Sequence, residues 1–90
     1  MIELVASRRF GKRLGKLSKK RQDAVAKTLH QFLRNPQHPG LRLEKLMLSE
    51  GDYWSLRVSL AERIILLKVQ EEVWELVDVG GHELYQKLRH

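Results

Sequence analysis

Five polar side chains in the second half of the chain have the functional groups needed for acid–base and phosphate chemistry: Glu44, Arg57, Arg63, His82 and Tyr85. They offer a candidate base, two cations, a candidate acid and an aromatic ring. Such a set is sufficient to cleave RNA, because the 2′-hydroxyl of RNA is itself the nucleophile. A base removes its proton, fixed cations stabilise the charge on the phosphorane, and an acid protonates the leaving 5′-oxygen. This chemistry requires no metal and no cofactor, and none is predicted.

The carboxylate and the two arginines also have ordinary structural interpretations. Glu44 lies between Leu43 and Lys45 and fits a solvated carboxylate on a strand. Arg57 and Arg63 fit cross-strand ion pairs with an acidic residue of the last strand, and such surface pairs contribute little stability. The acidic partners available there are Glu75 and Asp78.

The remaining candidates have similar alternatives. His82 follows Gly80-Gly81 and fits an exposed loop histidine. Tyr85 fits the apolar stripe of a short closing helix together with Leu84 and Leu88. Trp54 fits a core position, and if it is exposed it is a candidate for binding substrate by stacking on a base.

Composition excludes several other classes of protein. The 90 residues include no cysteine, so a disulfide framework and a thiolate metal site are ruled out. The sequence contains no glycine-rich phosphate loop, no metal-ligand spacing and no serine in a nucleophile-elbow context. It also contains neither a signal peptide nor an apolar run of about 18 residues, so a cytoplasmic protein with no membrane partner is expected. The length suits one domain covering residues 1–90.

Positive charge is concentrated in the first part of the chain. Residues 1–35 contain ten Lys and Arg against Glu3 and Asp23, a net charge of +8, whereas residues 36–90 contain seven against nine acidic residues, a net charge of −2. A field of this sign attracts nucleic acid or an acidic protein partner. The predicted RNA-binding surface consists of the basic residues on the outer faces of two predicted helices: Arg8, Arg9, Lys12, Arg13, Lys16, Lys19, Lys20 and Arg21.

The spacing of apolar residues predicts an α+β fold. Helical periodicity before Asn35-Pro36 predicts two helices, with Ser7 and Ser18 at their N-caps and the proline ending the second. After Gly40 the period shifts toward two, which predicts strands over residues 41–48, 53–60, 63–69 and 73–79. We therefore expect two N-terminal helices packed on a twisted antiparallel sheet of about four strands. Residues 1–5 suit a short edge strand, and the C-terminus suits a short helix.

Two details of the predicted sheet can be tested. In residues 53–60 the alternation places Trp54, Leu56, Val58 and Leu60 on a buried face and the intervening residues on a solvent-exposed face. A competing interpretation makes residues 60–76 one long helix. It would be apolar nearly all round, and a chain of 90 residues could hardly bury it.

The ordered set of motifs resembles the RelE/ParE superfamily of toxins from toxin–antitoxin systems. The strand segment at residues 51–58, an arginine opening the strand at residues 63–66, and a final strand ending in Val79-Gly80-Gly81-His82 with Tyr85 close behind are similar to the C-terminal half of those proteins. The similarity in motifs covers residues 41–86. Ala61-Glu62 stand where those toxins usually have a glycine and an aromatic or histidine residue. A carboxylate is thereby placed beside Arg63, where it can partly neutralise the guanidinium.

The resemblance implies two helices on a twisted antiparallel sheet and a metal-independent endoribonuclease that cleaves messenger RNA in the ribosomal A site, leaving a cyclic phosphate. By position, Glu44 resembles the general base, Arg63 the transition-state arginine, and Arg57 the phosphate-binding arginine. His82 resembles the general acid and Tyr85 the aromatic that orients substrate. The implied partners are messenger RNA, ribosomal RNA and an acidic antitoxin, with DNA contacted only through the antitoxin complex. The alternatives are a non-catalytic inhibitor of DNA gyrase, as in the ParE branch, and a non-catalytic RNA- or protein-binding module.

Overall fold

The N-terminal helices form where the sequence predicts them. The computed structural model describes residues 1–47, 50–81 and 83–84. Helix α1 spans Arg8–Gly15 and helix α2 spans Lys19–Arg34. The Ser7 hydroxyl accepts a hydrogen bond from the N–H of Phe10, and the Ser18 hydroxyl accepts one from the N–H of Arg21, so both predicted N-caps are confirmed. Helix α2 ends immediately before Asn35-Pro36, as predicted.

Five strands form one sheet in the order β1-β5-β4-β3-β2. Their bounds are β1 Glu3–Ala6, β2 Glu44–Lys45, β3 Tyr53–Arg57, β4 Arg63–Gln70 and β5 Val73–Gly80. Strands β2 to β5 form the predicted antiparallel meander. The predicted N-terminal edge strand is also present, but it runs parallel to β5, so the sheet is mixed and not purely antiparallel.

Two predicted strands are shorter than the sequence suggested. Of the described residues 41–47 in this predicted strand, only Glu44–Lys45 pair in the sheet, because Pro39–Leu41 form a 3-10 turn and Arg42 adopts a left-handed conformation with φ 45°. Strand β3 ends at Arg57, not at residue 60. The chain then bends, and Leu60 is 92% exposed, so its predicted place on the buried face is wrong.

A turn at Glu71-Glu72 joins β4 to β5, and no helix forms within residues 60–76, all of which the structure describes. At the C-terminus, Glu83 and Leu84 are helical, and the rest of the predicted closing helix lies outside the described residues. No helix in the described part of the chain combines the length and the apolar character needed to cross a membrane.

Both helices pack on one face of the sheet, which we call the helix face. Its core joins Phe10 of α1 and Val25 and Phe32 of α2 to apolar residues of the central strands. Phe32 is fully buried and meets the ring of Trp74 edge to face, with centroids 5.4 Å apart. Leu56, Ile64, Leu66, Leu76 and Val79 complete this core.

The opposite face carries the arginines of the central strands, and we call it the arginine face. It is defined by Ser55, Arg57, Arg63 and Ile65. Alternation along β3 and β4, together with the pairing of Ser55 with Ile65 and of Arg57 with Arg63, places these four side chains on the same side. Ser55 and Ile65 are buried, so part of this face is covered as well.

Candidate active site

Three of the predicted site residues share the arginine face. Glu44 of β2 pairs directly with Ser55 of β3, and Arg57 lies two residues farther along β3 on the same side. Arg63 opens β4 and is the direct partner of Arg57. Directly paired side chains have Cβ atoms about 5 Å apart and diagonal neighbours are about 7–8 Å apart. Glu44, Arg57 and Arg63 therefore lie within reach of one small group bound on this face.

The pairing of Arg57 with Arg63 sets two like charges directly across from each other, which is unfavourable in an empty sheet. Within the described residues, neither arginine forms an ion pair. The Nη1 atom of Arg63 is buried and has no hydrogen-bond partner in the part of the chain that the structure describes. A bound anion such as a phosphate would relieve this repulsion.

The cross-strand ion pairs considered in the sequence analysis do not form. Asp78 is buried, and its carboxylate contacts Arg13 of α1 at 3.2 Å and Arg9 at 3.9 Å. It also accepts a hydrogen bond from the N–H of Val79. Asp78 therefore holds helix α1. Among the described residues Glu75 forms no ion pair, and the arginines of β3 and β4 have no acidic partner.

Ser55 is a candidate site residue that sequence reasoning missed. The alternation of β3 predicted a solvent-exposed position, but Ser55 is only 1% exposed, and its hydroxyl has no hydrogen-bond partner among the described residues. A buried hydroxyl without a partner is costly and uncommon in a folded protein. The sequence does show that Ser55 lies two residues before Arg57, on the same side of the strand. Its position directly opposite Glu44 follows from the strand register, which the sequence of β3 alone does not show.

Glu62 does not neutralise Arg63, contrary to the sequence-based expectation. It is 6% exposed, and its carboxylate accepts a hydrogen bond from the guanidinium of Arg21 on α2. This hydrogen bond, followed by the charge of Glu62, raises the pKa of Arg21. The two residues are 41 positions apart in the chain, so local sequence patterns carried no sign of this ion pair.

The last strand brings the C-terminal segment to Arg63. Gly80 pairs with Arg63 across β4 and β5. A Cβ atom at Gly80 would lie 3.0 Å from a carboxylate oxygen of Glu83 and 3.2 Å from Leu84, so glycine permits this close approach. His82 and Tyr85, the predicted acid and aromatic, lie outside the described residues.

Trp54 is not brought together with the other candidates. It alternates with Ser55 along β3 and lies on the helix face, where its ring packs against Trp74 with centroids 5.8 Å apart. Its indole N–H donates to Asp52 at 2.8 Å. Trp54 is half-buried and borders a cavity of about 380 Å³ formed with residues of the segment 36–43. The position agrees with the core interpretation and separates Trp54 from Glu44, Arg57 and Arg63.

The predicted basic surface is partly neutralised by contacts within the protein. Arg9 and Arg13 contact Asp78, Lys19 contacts Asp23 at 2.9 Å, and Arg21 contacts Glu62. In the described parts of the chain, four of the eight predicted residues form no ion pair: Arg8, Lys12, Lys16 and Lys20. A shallow cavity of about 450 Å³ on α1 is lined by basic residues alone: Arg8, Arg9, Lys12, Arg13 and Lys16.

The chemistry available on the arginine face is that of two guanidinium groups, a carboxylate and a hydroxyl. Across the described ranges, no three His, Asp or Glu side chains are grouped so that they could hold a metal ion. Guanidinium groups bind phosphate oxygens with directional, charge-assisted hydrogen bonds. The arrangement is therefore suited to binding a phosphate beside a carboxylate that can accept a proton.

No protein-family model and no curated protein sequence matches the chain. Several solved structures do. YafQ in the E. coli DinJ–YafQ complex superposes with a TM-score of 0.75 at 17% identity, covering 93% of this chain and 97% of that one. The toxin of the intact E. coli RelBE toxin–antitoxin complex gives 0.68 at 22% identity, covering 90% and 96%. The YoeB/ParE toxin from Agrobacterium tumefaciens gives 0.72 at 15% identity, covering 90% and 99%. The chain therefore has the fold shared by the YafQ, RelE and YoeB toxins.

Proposed function

We propose that the protein is the toxin of a toxin–antitoxin system and cleaves messenger RNA on the ribosome. The observation that carries this proposal is the direct opposition of Arg57 and Arg63 on the same sheet face as Glu44, with no ion pair to either arginine among the described residues. The shared fold with toxins of this kind supports it. Opposed cations are costly in a free protein and favourable once a phosphate lies between them, so the arrangement suits a substrate with a phosphodiester.

In the proposed reaction, Glu44 accepts the proton of the 2′-hydroxyl of the scissile nucleotide. The 2′-oxygen attacks phosphorus, and Arg57 and Arg63 stabilise the negative charge that grows on the phosphorane oxygens. The bond from phosphorus to the 5′-oxygen then breaks, and His82 gives its proton to that oxygen. The products are a 2′,3′-cyclic phosphate and a free 5′-hydroxyl, and the enzyme needs no metal. Tyr85 orients the substrate.

The spacing of the described groups supports this division of roles. Glu44 lies opposite Ser55 and is therefore a diagonal neighbour of Arg57. Diagonal neighbours on adjacent strands are about 7–8 Å apart. That gap accommodates a ribose with its 2′-hydroxyl toward the carboxylate and its 3′-phosphate toward the arginines. Glu44 is exposed, so a nucleotide can reach it.

The basic side chains of the α1 region that form no ion pair within the described residues are suited to binding ribosomal RNA. Arg8 and Lys12 of α1 and Lys16, the residue that follows the helix, are exposed, and α1 packs beside β5. We assign them to ribosomal RNA, because closely spaced cations bind a phosphate backbone without reading its sequence. In the resting cell an acidic antitoxin covers the protein in the cytoplasm. The DinJ–YafQ and RelBE complexes support such a partner.

Purified protein added to a translation extract tests the function. We expect cleavage of messenger RNA within the ribosomal A site, in the presence of a metal chelator at a concentration that leaves ribosomes intact, with cyclic phosphate at the new 3′ ends. Replacing the scissile ribose with 2′-deoxyribose should abolish cleavage at that site. The same preparation should leave gyrase supercoiling unchanged. Inhibited supercoiling with intact messenger would replace this proposal with the gyrase-inhibitor alternative.

A further inference from the structure

The loop between β3 and β4 is fixed to helix α2 by the Arg21–Glu62 ion pair. Glu62 is the last residue of this loop and immediately precedes Arg63. Its carbonyl accepts hydrogen bonds from the N–H groups of Val58 at 3.0 Å and Ser59 at 3.2 Å. Its own N–H donates to the Ser59 hydroxyl at 3.2 Å. The loop is thus folded tightly on itself, and its one buried carboxylate points to a cation on α2.

Glu62 and Arg63 also share a cavity. The cavity has a volume of about 480 Å³, and Arg21, Arg63, Glu62, Gly81 and Glu83 are among the residues that line it. The carboxylate nearest to Arg63 in sequence is therefore close in space as well, but it is engaged by Arg21. A buried carboxylate that loses its partner is strongly destabilised and is driven to find another cation. The guanidinium of Arg63 lines the same cavity, and among the described residues its buried Nη1 has no hydrogen-bond partner, so it can accept this carboxylate.

We propose that Arg21 is a positioning residue that keeps Glu62 away from Arg63, so that the Arg63 guanidinium stays available for phosphate. This inference rests on the function proposed above. Arg21 belongs to the predicted basic surface, but its guanidinium is engaged by Glu62. In this role it acts through Glu62 and does not contact the reacting atoms. The Arg21–Glu62 ion pair thus explains how the chain carries a carboxylate next to Arg63 without losing the positive charge of the site.

A double-mutant comparison separates this role from a simple loss of charge or of stability. Arg21→Ala should lower the cleavage rate on the order of tenfold, because Glu62 then pairs with Arg63. Adding Glu62→Gln to Arg21→Ala should restore the rate to within about threefold of the parent, because the competing carboxylate is gone. Lys27→Ala is the matched control, since Lys27 is an exposed cation of the same helix outside the proposed RNA-binding surface. It should not reproduce the tenfold loss.

A second readout does not depend on activity. The side-chain Nε–H resonance of Arg63, measured by NMR, should shift in Arg21→Ala as the new ion pair forms and return toward its parental position in the double variant. Arg21→Gln, which removes the charge but keeps a donor, repeats the comparison if Arg21→Ala is unfolded by circular dichroism.

Different outcomes would contradict the positioning role and the proposed function. An unchanged Arg63 resonance in Arg21→Ala, or a double variant as slow as Arg21→Ala, would overturn the positioning role while leaving the nuclease intact. A parent protein that cleaves no RNA would instead remove the proposed function, and the resonance alone would then decide whether Arg21 keeps Glu62 from Arg63.

Discussion

The two faces of the sheet differ in how well their side chains are packed and hydrogen-bonded. On the helix face, Phe32, Ile64 and Leu66 are fully buried in a continuous apolar core. On the arginine face, Arg57 and Arg63 stand opposite each other, and both the Ser55 hydroxyl and Arg63 Nη1 are buried without a partner. The first arrangement lowers the free energy of the folded state and the second raises it. Unfavourable arrangements of this kind concentrate at functional sites.

The acidic residues differ in the same way, in their burial and in their ion pairs. Asp78 and Glu62 are both buried, and each is matched with arginines of the helices. Glu44 is exposed and forms no ion pair with any residue that the structure describes. Stability and the proposed catalysis thus depend on different members of the same residue types, and substitutions on the two faces should have separable effects on unfolding and on cleavage.

The largest expected effect is on the helix face. Phe32→Ala removes a fully buried ring that contacts Trp74, and it should lower the free energy of unfolding by about 3–5 kcal/mol. Denaturant titration followed by circular dichroism measures the change. Leu33→Ala is the matched control, because Leu33 is the next residue of α2 and is 43% exposed. Equal losses in the two variants would contradict the assignment of the core to this face.

The next effect belongs to the arginine face and should appear in rate alone. Glu44→Gln removes the proposed base and should slow cleavage about a hundredfold or more, equivalent to about 2.7 kcal/mol in the barrier. The free energy of unfolding should stay within about 0.5 kcal/mol of the parent, because Glu44 is exposed. Single-turnover cleavage gives the rate. Glu3→Gln, an exposed carboxylate on the edge strand β1, should cleave normally; an equal loss in both variants would point to a general charge effect.

A smaller effect distinguishes the two helix caps. The Ser7 hydroxyl accepts from Phe10 N–H at 3.0 Å and also donates to the carbonyl of Val77 in β5 at 2.9 Å. Among the described residues, the Ser18 hydroxyl makes only the cap contact, at 3.3 Å. Ser7→Ala should therefore destabilise the fold by about 1–2 kcal/mol and Ser18→Ala by about 1 kcal/mol or less. Thermal unfolding of both variants tests the order, and the reverse order would show that the link from α1 to β5 adds no stability.

The smallest expected change in stability is at Arg57. Arg57→Ala removes one of two opposed charges, so the free energy of unfolding should change by no more than about 0.5 kcal/mol or should increase. The slope of the logarithm of RNA affinity against the logarithm of salt concentration should become shallower by the amount expected for the loss of about one phosphate contact. Arg34→Ala, at the exposed end of α2, should leave the salt dependence unchanged. A clear loss of stability in Arg57→Ala would mean that Arg57 is paired in solution.

Much of this fold can be predicted from local patterns, because caps, breakers and alternation act over a few residues. Ser7, Ser18 and Pro36 mark the helices, and the alternation of Trp54 with Ser55 marks β3. The parallel pairing of β1 with β5 joins distant segments, and no local pattern encodes it. The strand over residues 41–48 was overestimated because the left-handed conformation of Arg42 is unusual for a residue with a side chain.

For the candidate site, sequence similarity selected residues that the register then placed on one face. Glu44, Arg57 and Arg63 are adjacent only because β2, β3 and β4 pair as they do. The burial of Ser55 and the pairing of Glu62 with Arg21 depend on contacts between distant segments, so neither could be read from neighbouring residues.

The most direct test of the central claim is single-turnover cleavage of a ribosome-bound messenger by the parent protein and by Arg63→Ala. If the unpaired guanidinium of Arg63 stabilises the charge on the phosphorane, its removal should slow cleavage about 10²–10³-fold. The melting temperature should not fall, because Arg63 forms no ion pair within the described residues. An Arg63→Ala protein that cleaves as fast as the parent would contradict the assignment of the arginine face as the site of RNA cleavage.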